Sequence, residues 1–287
     1  MLYDAAIIGT GPAGLSAAVN LQLHNKSVLW LGSPDMSRKI SKSEAIRNYP
    51  GFPEISGAEL GLCLQEHARA MDLVITDRMV TNIMASGSVW MILAQNDFYQ
   101  AKTLLLAIGV SGAKGFEGEQ ALVGRGVSYC ATCDGFLYKG KTIAVCCGDQ
   151  RFEHEVADLA DIAETVYLYT PYPNCRMTLP NVIRMESPIR KVLGTDRVTG
   201  IELQSGQVIA IDGLFCLRES ISPAVLIPGL ELDGPHIAVN RSMETNLPGC
   251  WAAGDCTGRP YQIAKAVGEG NVAAHSMLEY LARHKSA

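Results

Sequence analysis

The sequence has no run of apolar residues approaching the roughly 18 to 20 that a membrane-spanning helix needs. It also has no basic excess: 24 Lys and Arg stand against 29 Asp and Glu, a formal net charge of −5. The first absence argues against a membrane protein, and the second leaves no electrostatic footing for a nucleic-acid partner. Asp4, so close to the start, argues against a secretory leader, so a cytoplasmic protein is expected. Cysteine is plentiful but lacks the pattern of a disulfide framework, because the nine cysteines are odd in number and scattered over a chain too long to need stapling. Nor is there a second spaced cysteine pair or a histidine pair to complete a zinc site, since Cys146 and Cys147 are adjacent; no metal is expected. Cys63, Cys175, Cys216, Cys250 and Cys256 read as small buried hydrophobes. What remains is ordinary globular composition, 48% hydrophobic and 18% charged, over 287 residues that favour two domains.

Local patterning supports an α/β chain. Tyr3 to Ile8 reads as a buried strand, followed by a glycine-rich turn, a helix through about Leu23 and a strand from Ser27 to Leu31. Val74 to Ile83 and Val89 to Ala94 read as strands of a smaller sheet, and Thr103 to Ile108 as a buried strand ending at Gly109. Lys141 to Val145, a helix near Phe152 to Ala163 and a strand at Thr165 to Tyr169 repeat the pattern, with a last strand at Leu214 to Leu217. A strand and turn at Gly249 to Asp255 and a helix from about Tyr261 to Arg283 then return the chain to its first domain.

Two motifs carry chemistry. In Gly9-Thr10-Gly11-Pro12-Ala13-Gly14, Gly9 permits the tight turn, Gly11 lets backbone approach a pyrophosphate, and Gly14 packs helix on strand. The helix N-terminus then faces the phosphates with its partial positive charge. The acid expected about twenty residues on, for a ribose, is missing where the second strand ends at Leu31-Gly32; Asp35 is a weak substitute. The second motif, Cys130-Ala131-Thr132-Cys133, spaces two thiols for a disulfide within one turn, a setting that lowers one thiol pKa. Asp134 follows directly, placed to move the proton of thiol-disulfide exchange.

With these residues in view, the chain resembles the low-molecular-weight thioredoxin reductase family from its first strand to its C-terminal helix. Gly9 to Gly14 resembles the family's FAD pyrophosphate loop, and Asn48-Tyr49-Pro50-Gly51-Phe52-Pro53 its flavin-side segment. Cys130 to Gly135 matches its active-site sequence, and Ala252-Ala253-Gly254-Asp255 its C-terminal FAD motif. The resemblance implies two Rossmann-like, three-layer ββα domains, the second inserted in the first: an FAD domain of residues 1–112 and 219–287 around a central redox domain of 113–218. It implies FAD contacts at Gly9, Gly11, Pro12, Ala13, Gly14, Asn48, Gly109, Gly254, Asp255, Gln262, Ile263 and Ala264. By the same resemblance Cys133 faces the flavin, Cys130 attacks the protein disulfide, Asp134 is the acid/base, and the protein is a homodimer with hinges near 111–114 and 218–222.

One part of the pattern is absent. Family members that use NADPH carry a second glycine loop and a basic cluster in the central domain. Here Cys146 stands where a turn glycine belongs, and Arg151 where a small residue should let the helix pack. The basic cluster is replaced by Tyr169-Thr170-Pro171-Tyr172-Pro173, which has no cation for a 2′-phosphate. An intact FAD domain and dithiol with this loss resemble the ferredoxin-dependent flavin thioredoxin reductases of clostridia, which implies reduced ferredoxin as donor and thioredoxin as acceptor. Arg38, Lys39, Lys42 and Arg47, against the single acid Glu44, form a basic stretch that would suit an acidic ferredoxin. The competing readings are an FAD-dependent dithiol oxidase using oxygen, an NAD(P)H-linked reductase with an unusual nucleotide site, and a non-catalytic flavoprotein sensing redox state through Cys130 and Cys133. A second ring stacked on Tyr169 and Tyr172 is a further possibility.

Overall fold

Ala5 to Ile8 is an uninterrupted apolar stretch, and in the structure, a computed structural model, it is wholly enclosed as the end of a sheet strand. The structure describes residues 1–95, 97–109, 115–129, 131–173, 175, 177–218 and 223–284, without the side chains of Arg38, Lys39, Gln120 and Cys133. The chain divides into two compact units, residues 1–111 with 226–287, and residues 112–225.

In the first unit, β1 (Leu2–Ile8) leads into α1 (Pro12–Leu23) and β2 (Val28–Leu31), with β1 and β2 parallel and Ala5 opposite Val28. Next come α2 (Arg38–Ser41) and α3 (Gly57–Ala70). A capping box starts α3: Glu59 N–H donates to the Ser56 hydroxyl, and Ser56 N–H to the Glu59 carboxylate. Cys63 lies exposed on this helix rather than buried. The expectation of one strand over 74–83 also fails. The chain turns at Arg78, whose N–H bonds the Thr76 carbonyl, and separates β3 (Ile75–Thr76), parallel to β2, from β4 (Val80–Ser86), antiparallel to β5 (Val89–Ala94). Nor do β4 and β5 form a separate sheet. Strand β6 (Asp97–Leu106) is ten residues long and is used twice, its first half pairing with β5 and its second half with β1.

The second unit begins its parallel sheet with β7 (Val127–Ser128), followed by α4 (Ala131–Asp134), β8 (Thr142–Cys147), α5 (Glu153–Ile162), β9 (Thr165–Tyr169) and β10 (Val182–Arg184). An antiparallel sheet that the sequence reading did not foresee follows, with β11 (Ile189–Leu193), β12 (Gly200–Leu203) and β13 (Val208–Ala210), before β14 (Gly213–Leu217) returns to the parallel sheet, ordered β10-β9-β8-β14-β7. Alternation along β8 explains the layers. Ala144 and Cys146 pack with Ile189, Val192 and Ile201 of the small sheet, whereas Ile143, Val145 and Cys147 pack with Val156 and Leu159 of α5. This is the three-layer ββα arrangement.

After α6 (Pro223–Leu226) and the hairpin β15 (Leu232–Asp233) and β16 (His236–Ile237), strand β17 (Cys250–Ala252) joins the first sheet parallel to β6, and α7 (Ile263–Arg283) closes the first unit. Helices α1 and α7 meet through small residues, Ala13 and Ala17 against Ala266, Ala273 and Ala274. They approach so closely that a Cβ at Gly270 would stand 2.2 Å from the Ala13 carbonyl oxygen. The expected hinges at 111–114 and, beyond Arg218, at 219–222 lie outside the described residues. Among the described residues no helix is long and apolar enough to cross a membrane.

Candidate functional site

The first glycine loop has the backbone its sequence implies. Gly9 leaves β1 at φ +112°, and a Cβ there would stand 2.2 Å from the Ala107 carbonyl oxygen, so no side chain fits. A Cβ at Gly14 would stand 2.0 Å from the Gly9 carbonyl oxygen, which also accepts the Trp30 indole N–H at 3.0 Å. At Gly11, by contrast, no protein atom lies within 4 Å of an added Cβ. Gly11 is also the N-cap of α1, with Pro12 in the first turn, no capping side chain and no acid. The helix thus presents uncapped positive-end amides into open space, a fit to a pyrophosphate. The Thr10 hydroxyl donates to the Ser33 carbonyl at 2.7 Å and steadies the loop after β2, where Asp35 is exposed.

The other sequence-marked FAD residues come to the same unit. Gly254 follows β17 at φ +89°, and a Cβ there would be 3.0 Å from that of Ala13, so the C-terminal motif packs against the first loop. Asp255 begins the turn Asp255–Thr257. Gln262 is the N-cap residue of α7, which opens with Ile263 and Ala264, and the Asn48 amide donates to the Gln262 side-chain carbonyl at 2.5 Å although 214 residues separate them. Gly109 lies just past β6 at φ +67°. Arg47 to Pro53 line an open depression, with Tyr49 and Phe52 stacked at 6.1 Å between centroids. In the basic stretch, the side chains of Arg38 and Lys39 lie outside the described residues. Lys42 is exposed, and Arg47 is ion-paired to Glu54 at 2.7 Å.

In the second unit Cys130 lies outside the described residues, and Cys133 is placed only by its backbone, on α4. Asp134 closes that turn and its carboxylate accepts the Ser128 hydroxyl at 2.6 Å. A second acid was missed in the sequence. Burial pushes the Glu155 carboxyl up, against the opposing influence of His154 and of the Ala131 N–H that it accepts. Glu155 therefore reaches the backbone of the dithiol turn from α5. Only the three-dimensional packing of α5 on that turn shows this.

The degenerate loop differs physically from the first. Cys146 and Cys147 are buried at the end of β8, and the Gly148 N–H bonds the Leu217 carbonyl of β14 at 2.8 Å, drawing the two strand ends together. Beside them lies a buried ion pair that no sequence motif marks. Arg218 donates two bonds to Glu119, at 3.1 and 3.0 Å, the side chains being 9% and 4% exposed. The guanidinium covers the Phe116 ring at 4.5 Å, and Glu119 also accepts the Tyr129 hydroxyl at 2.6 Å and the Phe116 N–H at 2.7 Å. Burial alone would lower the Arg218 pKa, but Cys216 and Glu119 hold it raised, so the cation is permanent. Burial raises the Cys146 thiol pKa, opposed by Arg218. In an open α/β sheet, ligands bind outside the carboxyl ends of the strands, and here those ends of β8 and β14 carry Gly148 and Arg218. A Cβ at Gly148 would meet Arg218 Cα and Cγ at 3.7 Å.

Tyr169 and Tyr172 do not make one stacking platform. Tyr169 packs toward the small sheet and Tyr172 on the α5 side, where its hydroxyl donates to Glu153 at 2.9 Å.

Comparison with known proteins agrees with this geometry. Residues 3–148 and 182–270 match the model of a family described as pyridine nucleotide-disulphide oxidoreductase. The thioredoxin reductase of Mycoplasma genitalium is 32% identical over 291 residues, covering 94% of this chain and 92% of that protein. Among solved structures, a ferredoxin-flavin thioredoxin reductase from Clostridium acetobutylicum superposes with a TM-score of 0.91 at 39% identity, covering all of both chains. A second structure described in the same words gives 0.87 at 42% identity, covering 98% of this chain and 99% of that one. The family model spans the first glycine loop and runs to Gly148 in the second, the curated relative spans nearly the whole chain, and the cradle at Gly9 to Gly14 fits the FAD that the family binds: the chain belongs to the pyridine nucleotide-disulphide oxidoreductases, in their thioredoxin reductase branch.

Proposed function

We propose that this protein is an FAD-dependent thioredoxin reductase that takes its electrons from reduced ferredoxin and has no working pyridine-nucleotide site. The observation that carries the donor assignment is the buried Arg218–Glu119 pair beside the end of β8 at Cys146, Cys147 and Gly148. A nucleotide pyrophosphate needs open space and unpaired donors, as at Gly11, whereas Arg218 has both of its terminal nitrogens committed to Glu119. The likeness to the clostridial ferredoxin-flavin enzymes over their full length supports the same reading.

The proposed site roles are those that the resemblance to the thioredoxin reductases implies. The FAD domain corresponds to residues 1–112 and 219–287 and the redox domain to 113–218. FAD lies with its pyrophosphate on Gly11 to Gly14 and its ribityl chain at Asp255, and when bound it supplies the exchange between single electrons and an electron pair. Cys133 faces the flavin and Cys130 attacks the disulfide of thioredoxin. Each turnover consumes two electrons and two protons, converting that disulfide into two thiols. Asp134 moves a proton at the thiols, and its bond from Ser128 fixes the carboxylate in place. Ferredoxin docks on the basic stretch that includes Lys42 and Arg47, and the working protein is a homodimer.

The test is anaerobic. The visible flavin band is followed after addition of NADPH, then NADH, then ferredoxin reduced by an independent system, with thioredoxin present. Bleaching and turnover with ferredoxin alone are expected. Rapid bleaching by NADPH would overturn the donor assignment, and oxygen consumption with a small dithiol alone would make the protein a dithiol oxidase.

A further inference from the structure

The turn that carries Asp255 is held from α7 by two charged side chains that none of the sequence motifs included. Glu269 accepts the Gly254 N–H at 2.9 Å, and Lys265 donates to the Gly254 carbonyl at 2.8 Å, so both polar groups of Gly254 are fixed by neighbours one helical turn apart. Lys265 also donates to the Gly258 carbonyl at 2.8 Å and to the Thr257 hydroxyl at 2.9 Å, bracketing the segment from Gly254 to Gly258. The Thr257 hydroxyl lies within bonding distance of both the Gly254 carbonyl and Glu269, at 2.7 and 2.8 Å, and completes the knot. The lysine and glutamate pair at 3.1 Å and are only 17% and 19% exposed.

The position of this lysine is costly. It lies in the first turn of α7, where the helix macrodipole favours an anion, and that turn contains no acid. A half-withdrawn ammonium there is sustained only by its acceptors, two of which are backbone carbonyls flanking the Asp255 turn. Gly254 has φ +89° and ψ −152°, a conformation with little local preference of its own, so the turn is set by what grips it.

We propose that Lys265 and Glu269 are positioning residues for FAD, acting through Asp255 by fixing the Gly254–Gly258 turn; this rests on the placement of FAD in the first unit. The experiment uses purified holoenzyme and measures FAD release on dilution by the rise in free-flavin fluorescence, with the visible flavin spectrum as a second readout. Lys265→Met is expected to weaken FAD retention by about 10- to 100-fold, the range for loss of charge-assisted bonds. Glu269→Gln, which keeps the shape, is expected to show a smaller loss. Because Lys265 acts through Asp255, Lys265→Met placed in an Asp255→Ala background should add less than about 2-fold. Undiminished FAD retention in Lys265→Met, or effects of the two substitutions that multiply, would overturn the proposal. An Asp255→Ala variant that holds FAD as well as the parent would instead overturn the placement of the ribityl chain on which it rests.

Discussion

Arg218→Met keeps an unbranched apolar side chain near Phe116 while removing the guanidinium from both the Phe116 ring and Glu119. The carboxylate then stays buried with only the Tyr129 hydroxyl and the Phe116 N–H as donors. Leaving one member of a buried ion pair unpaired costs about 3–5 kcal/mol, and the two surviving donors place the expected loss near the lower end. For a unit of residues 112–225 this is roughly 10–20 °C in the unfolding midpoint. The assay can separate the units, because Trp30, Trp90 and Trp251 all lie in the first one. Tryptophan fluorescence therefore follows the first unit, and hydrogen exchange at amides of β8 and β14 follows the second. Arg218→Met should lose exchange protection in β8 and β14 well before the tryptophan signal moves. The double variant Glu119→Leu, Arg218→Met should recover part of the loss, because no charge is left behind, though the Tyr129 hydroxyl still lacks its acceptor. A loss below about 1 kcal/mol in Arg218→Met would refute the claim that this pair is a buried, mutually dependent element.

The ends of β8 and β14 yield a nucleotide test: Cys146→Gly with Arg151→Ala restores the loop composition but should not bind NADPH measurably by calorimetry until Arg218→Gly is added together with Glu119→Gln, which leaves no buried carboxylate to repel the phosphates. Tight binding by the loop variant alone would show that Arg218 is irrelevant to exclusion. In the first loop, Gly14→Ala should destabilise the fold, since its Cβ meets the Gly9 carbonyl oxygen at 2.0 Å. Gly11→Ala should fold normally and lose flavin, which absorbance per chain and thermal melting will separate. Asp134→Asn should lower the rate of thioredoxin reduction by about 100-fold or more in steady-state assays while the flavin spectrum stays unchanged. Burial pushes the Cys147 thiol up to about 11 and Cys250 and Cys256 to about 12. Folding therefore opposes ionisation of these thiols. Their contribution to stability is fully present below the unfolded value of about 8.5 and is lost as pH rises toward about 11–12. Denaturant midpoints should fall over that window and fall less in Cys250→Ala.

The first glycine loop was legible because its spacing is local, although only Gly14 answers to a neighbour inside the same β-α-β unit, the Gly9 carbonyl, whereas Gly9 answers to the Ala107 carbonyl just past β6. The departure at Cys146 was legible as a residue type foreign to the motif; in the structure its side chain packs in the core at the end of β8, against the small sheet. Arg218 was not. In the sequence it ends an apolar strand, and its partner Glu119 lies 99 residues away. Lys265, Glu269 and Glu155 share that property, since each acts on backbone brought to it by packing rather than by spacing. The three-stranded sheet at 189–210 was overlooked because its strands are short and only alternately apolar, and it takes shape by covering Ala144 and Cys146 of β8. These misses share one cause with the proposed function. Ordinary members of such a fold need an empty second crevice, and a motif reading detects emptiness by its glycines. A salt bridge between two distant segments leaves no motif, so the sequence marks the altered loop at Cys146 but not the Arg218–Glu119 pair beside it. The guanidinium of that pair is a cation with its charge already matched. A nucleotide phosphate entering there would have to displace a carboxylate also held by two other donors, the Tyr129 hydroxyl and the Phe116 N–H, and the expected outcome is that NADPH fails to compete even at millimolar concentration.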